Sequence, residues 1–305
     1  MSIVNELSGA MSAIITPFTD VGDVDVPSLE RLVEAQIEGG IDGFVACGTT
    51  GETPTLSAAE QQRVVETVVQ KTAGRVPVIA GSGSNNTKAT VTATKEVQRW
   101  GADAALVVVP YYNKPSQDGI AAHYRAIQEE TGVPVVAYNV PGRTVTDMMP
   151  DTIARCQSEG WIIGVKDATA NMIRAAETLD RLNPSKPFAM LSGDDFTILP
   201  FVALGGKGVI SVVSNILPGD TSRLVKLTAA KQLEEARPLN ARIIALSKAL
   251  FAAPNPVPLK EAMAMAGWCT RTVRLPLITD ETMKDVVSQA LKTYTGKTSF
   301  DGFMG

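Results

Sequence analysis

Histidine occurs once in the 305 residues, and cysteine and tryptophan three times each. With His123 as the lone imidazole, a metal centre of imidazoles and thiolates has no donor set, and no metal is expected. A Ser-His-Asp triad is excluded too, unless His123 is its base. Cys47, Cys156 and Cys269 are odd in number and far apart. They fit neither a disulfide framework nor a zinc knuckle. Positive charge is not in excess: Lys plus Arg is 28, Asp plus Glu is 32, and the net charge is −4. That balance argues against a nucleic-acid partner, which a basic face would serve. No apolar run is long enough to span a bilayer, so no membrane partner is expected. The first ten residues lack the basic and apolar regions of a secretory signal. A cytoplasmic setting is the expectation.

What is present is a soluble balance, 45% hydrophobic and 20% charged residues, in a chain long enough to bury a large core. Short apolar runs recur at 13–17, 43–47, 76–80, 104–109, 134–138, 161–165, 188–191 and 208–213. Many are rich in β-branched residues, and Gly, Pro or polar residues bound them, as in strands buried on both faces of a parallel sheet. Between them, 28–38, 57–72, 87–100, 119–130 and 171–182 repeat apolar residues at helical spacing. Ser57, with Glu60 three residues on, and Thr87 suit helix N-caps. Eight such beats predict an α/β fold, a (β/α)8 TIM barrel. An open doubly wound sheet is the alternative, but no Gly-x-Gly-x-x-Gly follows the first run. From residue 218 the strand beat stops, and 222–231, 233–251, 259–266 and 280–295 read as helices. The expected division is a catalytic barrel over 1–217 and a helical C-terminal extension over 218–305. The tail 296–305 is expected to be mobile.

A barrel of this kind carries its active site at the C-terminal ends of its strands. There the sequence places Gly48-Thr-Thr-Gly-Glu52, Pro110-Tyr-Tyr-Asn-Lys114, Tyr138 through Arg143, Lys166-Asp167 and Ser192-Gly-Asp-Asp195. Lys166 follows the sixth apolar run. It reads either as a strand-end lysine snorkelling to water or as a desolvated amine that can form a Schiff base with a ketone. Thr49 and Thr50 lie between glycines, whose backbone could approach a carboxylate closely, or they form an ordinary polar turn. Tyr138 would sit inside the rim, where a core tyrosine needs a hydroxyl partner in any case. Arg143 suits a bidentate grip on a carboxylate, although most arginines are merely solvated. His123 lies in a helical pattern and reads as structural. Gly81-Ser-Gly-Ser-Asn85 lacks the Lys-Ser/Thr of a phosphate loop. Asp194-Asp195 would repel a phosphate.

In order and spacing these motifs, with Pro110-Tyr-Tyr-Asn113, Gly164-Val-Lys166 and Leu191-Ser-Gly-Asp194, resemble the pyruvate-dependent class I lyase/synthase family, over roughly residues 10–295. The resemblance implies a TIM barrel that condenses pyruvate with L-aspartate 4-semialdehyde to give 4-hydroxy-tetrahydrodipicolinate, on the way to diaminopimelate and lysine. It implies that Lys166 is the Schiff-base lysine and Tyr138 its proton relay. Thr49 would link two tyrosine hydroxyls, the second being Tyr112 from a neighbouring subunit of a homotetramer built as a dimer of dimers. Thr50 would hold the pyruvate carboxylate, and Arg143 the carboxylate of the aldehyde substrate. Gly193 and Ile210 would line the site near the lysine. No external cofactor is implied. N-acetylneuraminate lyases share the lysine and tyrosine, but they usually carry Ser-Thr at Thr49-Thr50 and lack an arginine matching Arg143. Keto-deoxy sugar acid aldolases and dehydratases are a further alternative. A non-catalytic small-molecule-binding barrel would be expected to have lost Lys166 or Tyr138. Weak or absent inhibition by L-lysine is also expected. The effector-pocket positions carry Thr53, Pro54, Ala58, Gln61, Asn85, Ala89 and Tyr111, with alanine at 89 where sensitive bacterial enzymes have glutamate.

Overall fold

The structure, a computed structural model, describes residues 3–295. Eight parallel strands close into a barrel in chain order: β1 (Gly9–Ala13), β2 (Gly43–Ala46), β3 (Val78–Gly81), β4 (Ala104–Val108), β5 (Val135–Asn139), β6 (Gly164–Asp167), β7 (Ala189–Ser192) and β8 (Gly208–Ser211). β8 pairs back onto β1, so no sheet edge is left open. Alternation along each strand divides the core in two. Met11, Val45, Ile79, Leu106, Val136, Tyr138, Leu191 and Ile210 fill the barrel interior. Val135, Ala137, Val165 and Val209 face the helices outside. At the base β1 and β8 approach closely: a Cβ on Gly208 would lie 1.9 Å from the carbonyl oxygen of Gly9.

The outer layer holds α1 (Val26–Glu38), α2 (Ala58–Thr72), α3 (Thr87–Arg99), α4 (Gln117–Thr131), the one-turn α5 (Pro141–Thr144), α6 (Pro150–Glu159), α7 (Met172–Arg181) and α8 (Ile198–Ala203). Ser57 and Glu60 form the expected capping box at the start of α2. Asn86, not Thr87, caps α3: its side chain accepts from the Ala89 N–H at 3.1 Å. Two apolar runs are out of step with their strands. β1 ends at Ala13, and Ile14, Ile15 and Thr16 continue buried beyond it. β6 starts at Gly164, so Ile162 packs in the outer core while still in the connection. Helices α6 and α8 do not stand out in the apolar pattern. The first has a sparse stripe around Ile153 and Cys156, and the second is only six residues long.

After β8 come α9 (Pro218–Ala229), α10 (Leu233–Leu250), α11 (Val257–Met265) and α12 (Thr282–Thr295). Helix α9 packs on β1, β8 and α1, where the eighth outer helix of such a barrel lies. We therefore propose that the extension proper begins at α10 rather than at residue 218. The tail 296–305 lies outside the described residues. Among the described residues, no helix is long and apolar enough to cross a membrane.

His123 is buried in α4 with its Nδ1 2.9 Å from the Thr87 hydroxyl, and its Nε2 has no partner among the described residues. Burial pushes its pKa down to about 4. The unfolded chain therefore takes up a proton below about pH 6.5 that the native imidazole refuses until about pH 4. The stability from burying the neutral ring is complete above that range and is lost as pH falls through it. Denaturant unfolding of the wild type and of His123→Leu should diverge accordingly. Relative to the variant, the wild type should lose up to about 3 kcal/mol between pH 6.5 and pH 4. Parallel acid limbs would show that His123 does not titrate this way.

Candidate active site

Parity places the lysine. Val165 faces the outer helices, so its neighbour Lys166 turns into the barrel, where it is 6% exposed. It belongs to β6 itself, as the third of four residues, and does not trail behind it. Its register partner on β5 is Tyr138, and Lys166 Nζ lies 4.4 Å from the centroid of that ring. Room for the lysine comes from Gly193, just past β7. A Cβ there would stand 3.0 Å from Lys166 Cγ and 3.1 Å from its Cε. Ile210 is buried in the same interior cluster as Tyr138.

Above the barrel mouth opens a cavity of about 450 Å³, lined by Gly48 and Thr49 after β2, Gly81 to Gly83 at the end of β3 and just beyond it, and Leu106, Tyr111, Tyr138, Val140 and Arg143. Close backbone approach shapes it: a Cβ on Gly81 would sit 2.0 Å from the Cys47 carbonyl oxygen. A larger cavity, about 540 Å³, lies at the other end of the barrel among Gly9, Asp42, Pro77, Asp103 and Lys207. Being at the N-terminal ends of the strands, it is remote from Lys166, and barrels of this type do not carry their chemistry there.

Thr49 is half-buried on the wall of the upper cavity, while Thr50 is buried beneath the loop. Thr50 Oγ1 accepts a hydrogen bond from Asn255 Nδ2 at 2.9 Å. Arg143 is exposed on α5 and reaches the cavity. Tyr112 stands apart: it is 88% exposed, with φ of 72°, and is absent from the cavity wall. Among the described residues no hydrogen bond joins Thr49 to Tyr138 or to Tyr112. One chain therefore brings together Lys166, Tyr138, Gly193 and Ile210, with Thr49 and Arg143 on the adjoining wall, and leaves Tyr112 outside.

Two supporting networks escaped the sequence. Asn139, the last residue of β5, donates from Nδ2 to Asp147 at 2.8 Å and accepts from the Met148 N–H at 3.0 Å. Arg174 on α7 joins Asp147 at 3.1 Å, bonds the Met148 carbonyl, and approaches Asp167 of β6 to 3.8 Å. Burial raises the pKa of Asp167, while Thr169 and Arg174 oppose the shift. This network ties the segment after α5, and so the turn carrying Arg143, to the strands of Tyr138 and Lys166. The second network is a buried ion pair between Lys260 of α11 and Glu52, with side chains 0% and 1% exposed. A buried charge requires a partner, and Glu52 lies more than 200 residues away in the chain.

Residues 6–294 match the dihydrodipicolinate synthetase family. A 4-hydroxy-tetrahydrodipicolinate synthase of Geobacter sp. (strain M21) is 47% identical over 273 residues, 88% of this chain and 92% of the relative. The crystal structure of dihydrodipicolinate synthase from Aquifex aeolicus is similar with a TM-score of 0.90 at 40% identity, over 94% of this chain and 98% of that one. The chloride-inhibited dihydrodipicolinate synthase from Acinetobacter baumannii, solved in complex with pyruvate, gives 0.92 at 41% identity, over 94% and 99%. A match over nearly the full length, with relatives close to half identical, means that the chain belongs to the dihydrodipicolinate synthetase family.

Proposed function

We infer that the protein condenses pyruvate with L-aspartate 4-semialdehyde to give 4-hydroxy-tetrahydrodipicolinate, the 4-hydroxy-tetrahydrodipicolinate synthase reaction of diaminopimelate and lysine biosynthesis. Membership of the family supports this reading. The observation that carries it is the buried Lys166 amine against the Tyr138 ring at the mouth of a TIM barrel. Arg143 on the cavity wall favours it over the neuraminate lyase alternative. We place the reaction in the cytoplasm, in keeping with three free cysteines.

In its uncharged form the Lys166 amine adds to the pyruvate ketone, and loss of water leaves an iminium. That cation is an electron sink, so the pyruvate methyl group gives up a proton and becomes an enamine carbon. The enamine carbon bonds to the aldehyde carbon of the second substrate, whose oxygen takes a proton. The amine that came from aspartate semialdehyde then attacks the iminium carbon, closes the ring and displaces Lys166. Tyr138 moves protons at Lys166, in series with Thr49 and with Tyr112 of a neighbouring subunit. Thr50 holds the pyruvate carboxylate by its hydroxyl and backbone N–H, and Arg143 holds the carboxylate of the aldehyde. Gly193 leaves space for the lysine chain, and Ile210 keeps its surroundings apolar.

Borohydride with pyruvate should trap an adduct on Lys166, located by peptide mass spectrometry, and Lys166→Arg should trap none. Tyr138→Phe should slow turnover by roughly 10²–10⁴-fold, the usual worth of a general acid/base group. Arg143→Ala should raise the KM for the aldehyde and leave trapping intact. Label on another lysine contradicts the assignment.

The subunit arrangement is a homotetramer, a dimer of dimers. The exposed Tyr112, held in a left-handed backbone conformation outside its own chain's cavity, supports a role across a subunit boundary. Sedimentation at decreasing protein concentration should show activity falling with dissociation; a fully active monomer speaks against Tyr112 as a shared residue.

Inhibition by L-lysine should be weak or absent. Its ammonium groups need acceptors, yet Glu52 is paired with Lys260 and Glu60 with Arg274. Of the remaining effector positions, Thr53, Pro54, Gln61 and Tyr111 line the cavity without negative charge. Initial rates across a lysine titration check this, and strong inhibition below about 1 mM, in the tighter part of the usual range for small ligands, contradicts it.

A further inference from the structure

The loop bearing Thr49 and Thr50 is gripped from the far end of the chain. Lys260 pairs with Glu52 at the end of the loop, and the Arg274 N–H donates to Glu52 Oε2 at 3.0 Å. Lys260 Nζ also donates to the Thr272 carbonyl at 2.9 Å and stands 3.9 Å from the Phe18 ring centroid. These contacts fix where the loop lies. Asn255 does something more specific. It is 7% exposed, and its Nδ2 donates to Thr50 Oγ1 at 2.9 Å. Its Oδ1 has no partner among the described residues, so its side chain serves no other hydrogen bond of the fold.

A threonine hydroxyl has one proton and two lone pairs. With one lone pair engaged by the Asn255 amide, the proton points away from Asn255 and is left for an acceptor. A substrate carboxylate is such an acceptor, and a hydrogen bond to a charged group is stronger than a neutral one. We propose that Asn255 is a positioning residue for pyruvate: it polarises the Thr50 hydroxyl toward the carboxylate, so that the C-terminal extension sets pyruvate affinity. This rests on Thr50 as the carboxylate-binding group.

Asn255→Asp keeps the shape but replaces the donor with an acceptor. The Thr50 proton turns toward the new carboxylate, and a negative charge stands near that of pyruvate. The assembled enzyme is inactivated by borohydride over a range of pyruvate concentrations, and the midpoint gives pyruvate affinity. Partial unfolding lowers the amplitude of inactivation and leaves the midpoint where it is. Asn255→Asp should raise the midpoint by roughly 10–100-fold, and Asn255→Ala by about 3–10-fold, the worth of a charge-assisted and a neutral hydrogen bond. The KM for aspartate semialdehyde should stay within about twofold, near the size of the smallest single-interaction effects. In a Thr50→Val background, Asn255→Ala should add nothing further, because its only target is gone. An unmoved midpoint in Asn255→Asp, or additive effects in the double variant, overturns the proposal. Absence of trapping in the wild type defeats the Schiff-base reading instead.

Discussion

In β6, Val165 looks out to the helices and Lys166 looks in, and everything at the barrel mouth follows from that parity. Slipping the strand by one residue would turn Val165 into the barrel interior and send the amine into the outer core. The neighbouring strands are cut to suit. β5 presents Tyr138 at the same level, and the chain leaving β7 presents a glycine where a Cβ would crowd the lysine stem. A flexible four-carbon side chain is thus confined. It is held by close packing on its methylenes and by the face of an aromatic ring at its head, an arrangement favourable to a cation. Such pre-ordering reduces the entropy lost when a ketone is brought to the amine.

The second constraint is electrostatic. Two charges, Lys260 and Glu52, are removed from water almost completely. Desolvating them consumes much of their attraction, so the pair is a poor source of net stability. Its effect is geometric. Removing either partner strands a buried charge, which costs about 3–5 kcal/mol, so alternative placements of the Gly48–Glu52 loop are heavily penalised. Arg274 completes the arrangement by bonding the carbonyls of Gly22 and Thr55 and pairing with Glu60. Glu52 itself sits in the left-handed region at φ of 55°, a conformation uncommon for a residue with a side chain.

The barrel was legible because buried parallel strands are short apolar runs and their helices have a different period. Where the two signals blurred, so did the reading. Residues 161–163 are as apolar as a strand, yet they lie in the connection, and that misplaced the start of β6 by three residues. Helix α8 is too short to show a period. At the site, Lys166, Tyr138, Thr49 and Arg143 were visible because each lies near the C-terminal end of a strand or in the segment that follows it. Asn255, Arg174 and Lys260 were not, since each acts on a residue distant in the chain. Nothing in Asn-Pro-Val-Pro around 255–258 indicates that a threonine near residue 50 is its partner. The exposure of Tyr112 was equally invisible: the sequence shows two adjacent tyrosines but not that one of them leaves the cavity.

The clamp on the Gly48–Glu52 loop spans sequence separations of 205 residues to Thr50 and 222 from Arg274 to Glu52. Vectorial synthesis delivers the amino-terminal part of a chain first, and long-range contacts form late because the intervening chain must be ordered before they close. All eight strands have been synthesised by Ser211, well before Asn255, Lys260 and Arg274. A nascent chain therefore holds all eight strands before the side chains that clamp the Gly48–Glu52 loop have been made. A product that ended before Asn255 would carry every strand of the barrel and none of the side chains that hold this loop from the far end of the chain.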